Sequence, residues 1–418
     1  MYSDAVIQRP ARANSAAYTT AIFGLLGVAL VLRIALPAPF VDLFMDYTAD
    51  TGSIAEKIHP GTYAICAVFA LAVSTLRAHL DAWSHRALRG LACFAIAIAG
   101  LIAYLVLVGR VGSAGYLLDT YLSAILAGMS LLLLPAACRV RAGTLVLVLL
   151  IVSAGLGFAE FATRTRIMPY PIPEIGFRAT GLAGHPLSLG LMSATALLFA
   201  GSLGWRRASV LLAGAILFLG VASAGARIAM LAASLAVVVA ILASPMGGAS
   251  AVARQRVKAL LMVAGAIGLA GAITFLAFSG FLERFSRGLS DPSAMARVDV
   301  YKLFLMTDWT EVVFGTDVAR IAKLAEERLN LLAIESSFVV AIYQFGIIGA
   351  LVFAGALVAT ARRLASGAPA PIVVAVLIFF AVALSNNTLT SKTPTVTMLF
   401  VLLIAAQAYR LPRNGQFS

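Results

Sequence analysis

The chain has 418 residues, of which 61% are hydrophobic and 12% are charged, and its mean hydropathy is +0.98. This composition excludes a water-soluble globular domain of this length, because such domains carry about 25% charged residues. The formal net charge of +13 suggests a nucleic-acid partner only until the charges are sorted along the chain. The composition predicts that a lipid bilayer is the solvent.

Hydrophobic stretches, mostly of 17 to 24 residues, recur along the chain between short polar loops. Each is long enough to cross a hydrocarbon core of about 30 Å as a helix that satisfies its own backbone hydrogen bonds. The predicted fold is therefore an all-α polytopic membrane protein with about twelve transmembrane helices. These spans are placed at roughly 19–37, 61–77, 91–109, 117–137, 143–162, 186–204, 209–224, 226–244, 259–281, 335–358, 371–390 and 393–409.

An even number of spans places both termini on one side of the membrane, and the positive-inside rule assigns that side to the cytoplasm. Cytoplasmic segments then hold sixteen Lys and Arg residues against two acidic residues, whereas exterior segments hold fourteen basic and sixteen acidic residues. The excess positive charge is thus an orientation signal, and no nucleic-acid partner is predicted. We expect a multi-pass protein of the bacterial inner (cytoplasmic) membrane with cytoplasmic N and C termini.

The chain is predicted to form a single transmembrane domain, 1–418, with two larger exterior elements. The first, 163–185, contains closely spaced prolines followed by glycines, a pattern typical of a shaped loop. The second, 282–334, contains helical periodicity over 319–334 with one polar and one apolar face. This pattern predicts an amphipathic helix at the exterior interface, as a lid or a lipid-facing wall. Gly346 and Gly349 are predicted to serve close helix packing.

Several cationic side chains collect in the predicted exterior segments: Arg110, Arg178, Arg227, Arg284, Arg287, Arg297 and Lys392. Arg227 lies in a turn too short to leave the membrane surface, so its guanidinium either points into an exterior cavity or extends to the lipid headgroups. Arginine suits a diphosphate because its planar guanidinium donates two parallel hydrogen bonds and stays charged. A membrane enzyme that handles a lipid diphosphate would use such groups.

Two further positions have a functional and a plain structural interpretation. His185 precedes Pro186 at the start of a span, where it faces the same cavity mouth as Arg178 or simply begins the helix. Glu335 is the single acid at the start of the span 335–358. It either compensates the helix dipole or acts as a general base whose pKa is raised by partial burial.

No carboxylate cluster or His/Cys spacing in the exterior segments suits a divalent metal, so neither a metal nor another cofactor is predicted. Cys66, Cys93 and Cys138 are not placed to form an exterior disulfide.

The order of short motifs is more specific than any one of them. It runs Arg178-x6-His185-Pro186-x3-Gly190, Ser223-x3-Arg227, Arg297, Phe314-Gly315, Glu335-Ser336-Ser337-Phe338 and Tyr343-Gln344-Phe345-Gly346-Ile347-Ile348-Gly349. From about residue 145 to 400 the chain resembles the O-antigen ligase and polymerase superfamily, membrane glycosyltransferases with a GT-C-like architecture that act on polyprenyl-diphosphate-linked glycans.

By this resemblance, Arg178 and Arg227 hold the donor diphosphate, with Arg297 as a third candidate. Ligases of the superfamily usually carry a histidine, taken as the base for the acceptor hydroxyl, where this chain has Glu335. Glutamate followed by serine resembles the polymerases of exopolysaccharide, capsule or O-antigen more closely. The candidate catalytic residues are therefore Glu335, Arg227 and Arg178. The candidate substrate-binding residues are Arg297, His185, Arg110, Lys392 and Tyr343.

The resemblance implies attack by an acceptor sugar hydroxyl on the anomeric carbon of a lipid-linked repeat unit, with polyprenyl diphosphate leaving and arginines stabilising the charge. It implies contact with membrane lipid, and a chain-length regulator and a flippase are expected partners by analogy with the pathway. An O-antigen ligase that acts on lipid A core is the nearest alternative. A lipid-linked glycan transporter would spread its charges along a path through the membrane, and a membrane scaffold would leave the motif order unexplained.

Overall fold

The computed structural model describes residues 11–48, 53, 55–77, 80–170, 177–243, 292–331 and 333–410, with scattered helical residues between 252 and 265. Within these ranges the chain forms helices and no β-strand. The helices of eight or more residues are α1 (Ala11–Ala35), α2 (Pro60–Thr75), α3 (Ala82–Leu107), α4 (Ser123–Leu133), α5 (Ala136–Thr163), α6 (Pro186–Phe199), α7 (Arg207–Ala224), α8 (Arg227–Ala243), α9 (Pro292–Asp299), α10 (Val318–Leu329), α11 (Ser337–Leu364), α12 (Ala370–Leu384) and α13 (Thr395–Arg410). Shorter turns lie at Ala38–Val41, Leu117–Leu122, Leu303–Met306 and Trp309–Phe314.

Five helices are long and apolar enough to cross a membrane, namely α1 (from Ala16), α3, α5, α7 and α11. Six shorter apolar helical segments, which include α2, α4, α6, α8, α12 and α13, fall on other predicted spans. The prediction 259–281 lies largely outside the described residues. The all-α architecture and its long apolar helices are thus confirmed.

Helix ends differ from the predicted spans where a polar first turn continues the helix beyond the hydrophobic stretch. Helix α3 begins at Ala82, not at 91, because Asp81 caps it by accepting a 2.8 Å hydrogen bond from the Ser84 amide. A prediction from hydropathy alone omits such a turn, because charged residues lower the mean hydropathy of the segment without breaking the helix.

Helix α13 lies at the centre of the bundle, and every residue from Thr395 to Ala408 is buried. Small residues allow its neighbours to approach closely. A Cβ atom on Gly220 of α7 would lie 2.5 Å from Ala154 Cβ of α5, and one on Gly61 of α2 would lie 2.6 Å from the Arg33 amide nitrogen of α1. Close backbone contact of this kind is how helices associate without a hydrophobic driving force between them.

The connecting loops separate into two sets at opposite ends of the bundle. At the Asp119 end, Lys392 Nζ donates to Tyr47 O (2.7 Å), and Ser337 N donates to Asn386 O (3.0 Å). At the Arg139 end, Arg139 Nη1 donates to Ser84 Oγ over 2.7 Å. In the described part of the chain, the loops predicted to be exterior lie at the Asp119 end, and those predicted to be cytoplasmic lie at the Arg139 end.

Helix α11 is interrupted at Gly346, whose φ of 74° and ψ of 167° are not helical. At this interruption the Thr316 amide donates to the Tyr343 carbonyl over 2.5 Å, and a Cβ atom on Gly346 would overlap the Val313 carbonyl. The predicted close packing at Gly346 is present, against the short helix Trp309–Phe314, but this glycine also breaks α11, which the prediction did not include. Because Gly346 has no side chain, the 313–316 segment can contact the backbone of α11 where the helix is broken.

The predicted amphipathic helix is present as α10, but it ends earlier, at Leu329, where Asn330 adopts a left-handed conformation (φ 53°). Its apolar Ile321 and Ala325 are fully buried in the protein, and its polar Arg320 pairs with Glu311. The apolar face thus packs onto the exterior element, so the predicted lipid-facing wall is wrong for these residues.

Candidate functional site

Two motifs that lie far apart in sequence meet at the Asp119 end. The Ala179 amide donates to the Ser223 carbonyl over 3.1 Å, and Arg178 Nε donates to the Ala224 carbonyl over 3.0 Å. Arg227 is the first residue of α8, three residues beyond Ala224. Arg178 and Arg227 are therefore brought to one corner. Both side chains are half-buried.

The loop that carries Arg178 is held by Glu160, which lies near the end of α5 and is 1% exposed. Its carboxylate accepts hydrogen bonds from the amides of Ile167 (2.9 Å), Thr180 (2.7 Å) and Gly181 (2.9 Å). A carboxylate that accepts several N–H donors forms strong charge-assisted bonds. Glu160, which the sequence analysis missed, thus fixes both sides of this loop to the bundle.

Two further arginines that the sequence analysis missed lie in the same corner. The Arg166 guanidinium stacks on the Tyr170 ring, with its carbon 4.6 Å from the ring centroid, and its Nη2 donates to the Arg178 carbonyl over 3.2 Å. The Arg164 guanidinium carbon lies 4.6 Å from the Phe161 centroid. Stacking on an aromatic ring holds a guanidinium in place. The corner therefore gathers four arginines: Arg164, Arg166, Arg178 and Arg227.

His185 caps α6, and its Nδ1 accepts a 3.1 Å hydrogen bond from the Leu187 amide. Burial, reinforced by the positive charge of Arg178, lowers the pKa of His185 to about 4. The ring is thus neutral at neutral pH, and it lies edge-on to Tyr170 with ring centroids 5.7 Å apart. The cap identified in the sequence is present, and it stands beside Arg178.

Glu335 lies at the same end of the bundle, immediately before Ser336, the N-cap of α11. It is half-buried. It precedes the first turn rather than lying within it. Ser337 ties the start of α11 to the loop after α12, because its Oγ donates to the Asn386 carbonyl over 2.7 Å. Helix α12 in turn packs against α6 and α8, the helices that begin beside His185 and at Arg227.

The other predicted substrate-binding residues lie elsewhere at this end. Arg110 Nη1 donates to the Phe314 carbonyl over 3.4 Å, and the Tyr343 hydroxyl, in a fully buried side chain, shares a 2.8 Å hydrogen bond with Thr307. Arg297 belongs to α9, and its side chain lies outside the described part of the structure. Arg110 and Tyr343 contact the 303–316 segment and do not meet the arginine corner in the described contacts.

Lys392 belongs to a second polar cluster, around Asp119, that the sequence analysis also missed. The fully buried Asp119 carboxylate accepts from the Tyr47 hydroxyl (2.9 Å), the Thr62 hydroxyl (2.8 Å) and the His59 amide (3.0 Å). Lys392 Nζ lies 4.3 Å from the centroid of the Tyr47 ring.

Arg33, 2% exposed, completes this cluster by donating through Nη2 to the carbonyls of Asp119 and Thr393, each over 2.9 Å. His59 Nε2 bonds to the Leu36 carbonyl over 2.9 Å, and burial lowers the pKa of His59 to about 4. Pro37 follows Leu36 and packs against Gly184, next to His185. The Asp119 cluster is therefore connected to the loop that carries Arg178 through Leu36 and Pro37.

Comparison with known proteins gives no match to a family model, to a curated protein or to a solved structure.

Proposed function

We propose that this chain is a metal-independent membrane glycosyltransferase that polymerises polyprenyl-diphosphate-linked oligosaccharide repeat units. The observation that carries the proposal is the pairing of the 177–185 loop with the α7–α8 turn, which brings Arg178 and Arg227 to one corner beside Arg164 and Arg166. Such a group of guanidinium ions suits a diphosphate, whose oxygens accept paired N–H bonds.

In the proposed reaction an acceptor sugar hydroxyl attacks the anomeric carbon of the donor repeat. The bond from that carbon to the diphosphate oxygen breaks, and its electron pair leaves with the polyprenyl diphosphate. Arg178 and Arg227 stabilise the charge that develops on the leaving group. Glu335 accepts the proton of the attacking hydroxyl, a role that its half-buried position before α11 suits.

We further propose that the Asp119 end faces the periplasm and the Arg139 end faces the cytoplasm of a bacterial inner membrane. The Arg139 end carries Arg86, Arg89, Arg362 and Arg363 in helix-terminal turns, as the positive-inside rule requires. A green fluorescent protein fused after Ser418 should fluoresce, because it matures in the cytoplasm. A silent but stable fusion would contradict this orientation. A flippase and a chain-length regulator would then act beside this protein in the same pathway.

The proposed activity is tested with purified protein, a synthetic polyprenyl-diphosphate repeat unit and EDTA. We expect a ladder of glycans from the wild type, and its loss in Arg178→Ala, Arg227→Ala and Glu335→Gln. Arg328→Ala, which removes an exposed charge from α10, is the matched control and should leave the ladder unchanged. A ladder that survives all three site substitutions would contradict the assignment. Product formed only with a lipid A core acceptor would identify a ligase instead.

A further inference from the structure

A groove outside the proposed active site lies between α3 and α11, near the Arg139 end. It has a volume of about 310 Å³ and is lined by Gly90, Cys93, Phe94, Gly355, Ala356, Ala359, Thr360 and Arg363. Phe94 forms its floor and is 1% exposed, whereas Cys93 at its rim is exposed. A Cβ atom on Gly355 would have no neighbour within 4 Å, so the groove opens to the outside of the bundle.

The lining presents an apolar surface apart from one guanidinium. The Thr360 hydroxyl bonds to backbone carbonyls of the groove walls, Ala356 of its own helix over 2.8 Å and Gly90 of α3 over 3.5 Å. The stem of Arg363 lies against Gly90, where a Cβ atom would be 3.0 Å from Arg363 Cδ. The aliphatic part of Arg363 thus closes one end of the groove, and its exposed guanidinium stands at that mouth.

The same mouth is strongly basic. Arg86 and Arg89 lie one turn before Gly90 and Cys93 on α3, and Arg362 immediately precedes Arg363 on α11. The side chains of Arg86, Arg89 and Arg362 are exposed. The nearby acid on α3, Asp81, is engaged as the helix cap. An apolar channel with a cluster of arginines at one end matches a lipid with an acyl chain and an anionic headgroup.

We propose that this groove binds an anionic phospholipid, with an acyl chain along Phe94, Gly355 and Ala359 and its phosphate at Arg363. The charge favours this occupant over a second copy of the chain. Parallel pairing of two copies through small residues would bring two sets of four arginines together, which like-charge repulsion opposes. The lipid site lies at the opposite end from the proposed active site and is independent of the proposed function.

Native mass spectrometry of the purified protein, titrated with dioleoyl phosphatidylglycerol or dioleoyl phosphatidylcholine, tests the proposal. We expect the wild type to retain phosphatidylglycerol in preference to phosphatidylcholine. Arg363→Ala should weaken phosphatidylglycerol binding about fivefold, the effect of one interfacial cation. Arg363→Lys should keep most of the affinity. Ala359→Phe, which fills the groove from an exposed position, should reduce binding of both lipids.

Arg206→Ala is the matched control, because it removes the same charge from an exposed arginine before α7, outside the groove and its mouth. Its affinity should stay within about twofold of wild type. Equal losses in Arg206→Ala and Arg363→Ala would show that general surface charge causes the effect, and would overturn the proposal. Equal retention of the two lipids by the wild type, or a protein dimer that Ala359→Phe dissociates, would also overturn it. Unchanged thermal unfolding of the variants in phosphatidylcholine shows that they are folded.

Discussion

Replacement of Glu160 by glutamine tests whether a buried carboxylate holds the loop that carries Arg178. In the wild type Oε2 accepts from the amides of Thr180 and Gly181, and Oε1 accepts from the amide of Ile167. A glutamine retains one carbonyl oxygen, which can keep the Thr180 and Gly181 pair. Its NH₂ group then faces the Ile167 N–H, so one acceptor becomes a donor.

The magnitude follows from these contacts. The bond to Ile167 is lost, which costs about 1.5–3 kcal/mol for a hydrogen bond to a charged group. The two remaining bonds become neutral and weaken by about 1 kcal/mol each. We therefore expect Glu160→Gln to lower the free energy of unfolding by about 3.5–5 kcal/mol. If the loop opens without the rest of the protein, the loss applies to that local opening.

Hydrogen exchange of the 177–185 segment, together with thermal unfolding in detergent, measures this effect. We expect faster exchange in this segment and a lower melting temperature. Glu326→Gln, an exposed change of the same kind on α10, is the control and should change neither. If Glu160→Gln matches wild type in both measurements, the carboxylate does not hold the loop.

Three further predictions concern folding and pH. Gly346→Ala should destabilise the protein by about 3 kcal/mol or more, because a Cβ atom would overlap the Val313 carbonyl at a positive φ. Gly355→Ala in the same helix should be neutral or stabilise by up to about 1 kcal/mol. Thermal unfolding compares the two variants. Asp119→Asn should cost about 2–4 kcal/mol in the same assay, since the three bonds that the carboxylate accepts from Tyr47, Thr62 and His59 become neutral and weaken by about 1 kcal/mol each. Wild-type stability should fall as pH decreases from about 6.5 towards 4, because the pKa of His185 is about 4 in the folded protein and near 6.5 in the unfolded chain. His185→Asn keeps an N-cap acceptor and should reduce this pH dependence by about half. His59, whose pKa is also lowered to about 4, accounts for the remainder.

Each of these has a contrary result. Equal melting temperatures for Gly346→Ala and Gly355→Ala would mean that the interruption in α11 relaxes without cost. A neutral Asp119→Asn would mean that its three donors find other acceptors. An unchanged pH slope in His185→Asn would show that His185 titrates normally in the folded protein.

The helices were predictable because the bilayer requires long apolar segments, and hydropathy detects them directly. The segment 117–137 illustrates what this signal omits. Asp119 is a single acid in a predicted span, which itself indicates a special environment. Its partners Tyr47, His59 and Thr62 come from a loop and a helix about sixty residues earlier, so only the folded chain identifies them.

That Arg178 and Arg227 act together was implied by the resemblance to the O-antigen ligase and polymerase superfamily, and the described loop contacts bring the two residues to one corner. Glu160, Arg164 and Arg166 were not predicted, because Glu160 lies near the end of the predicted span 143–162 and the two arginines directly after it, where charges usually mark the start of a solvated loop. Their position depends on how Ile167 and Gly181, on either side of the loop, bond to Glu160 of α5. The break at Gly346 was not predicted, because a glycine in an apolar helix more often serves packing alone.

The most direct test of the central claim is the binding of a polyprenyl diphosphate to the arginine corner. Isothermal titration of the detergent-purified protein with a short-chain polyprenyl diphosphate and with the matching monophosphate gives both affinities. We predict tighter binding of the diphosphate, with a loss of about ten- to a hundredfold in Arg178→Ala or Arg227→Ala and no loss in Arg328→Ala. Equal affinity for the two ligands, or diphosphate binding that survives both site substitutions, would contradict the account.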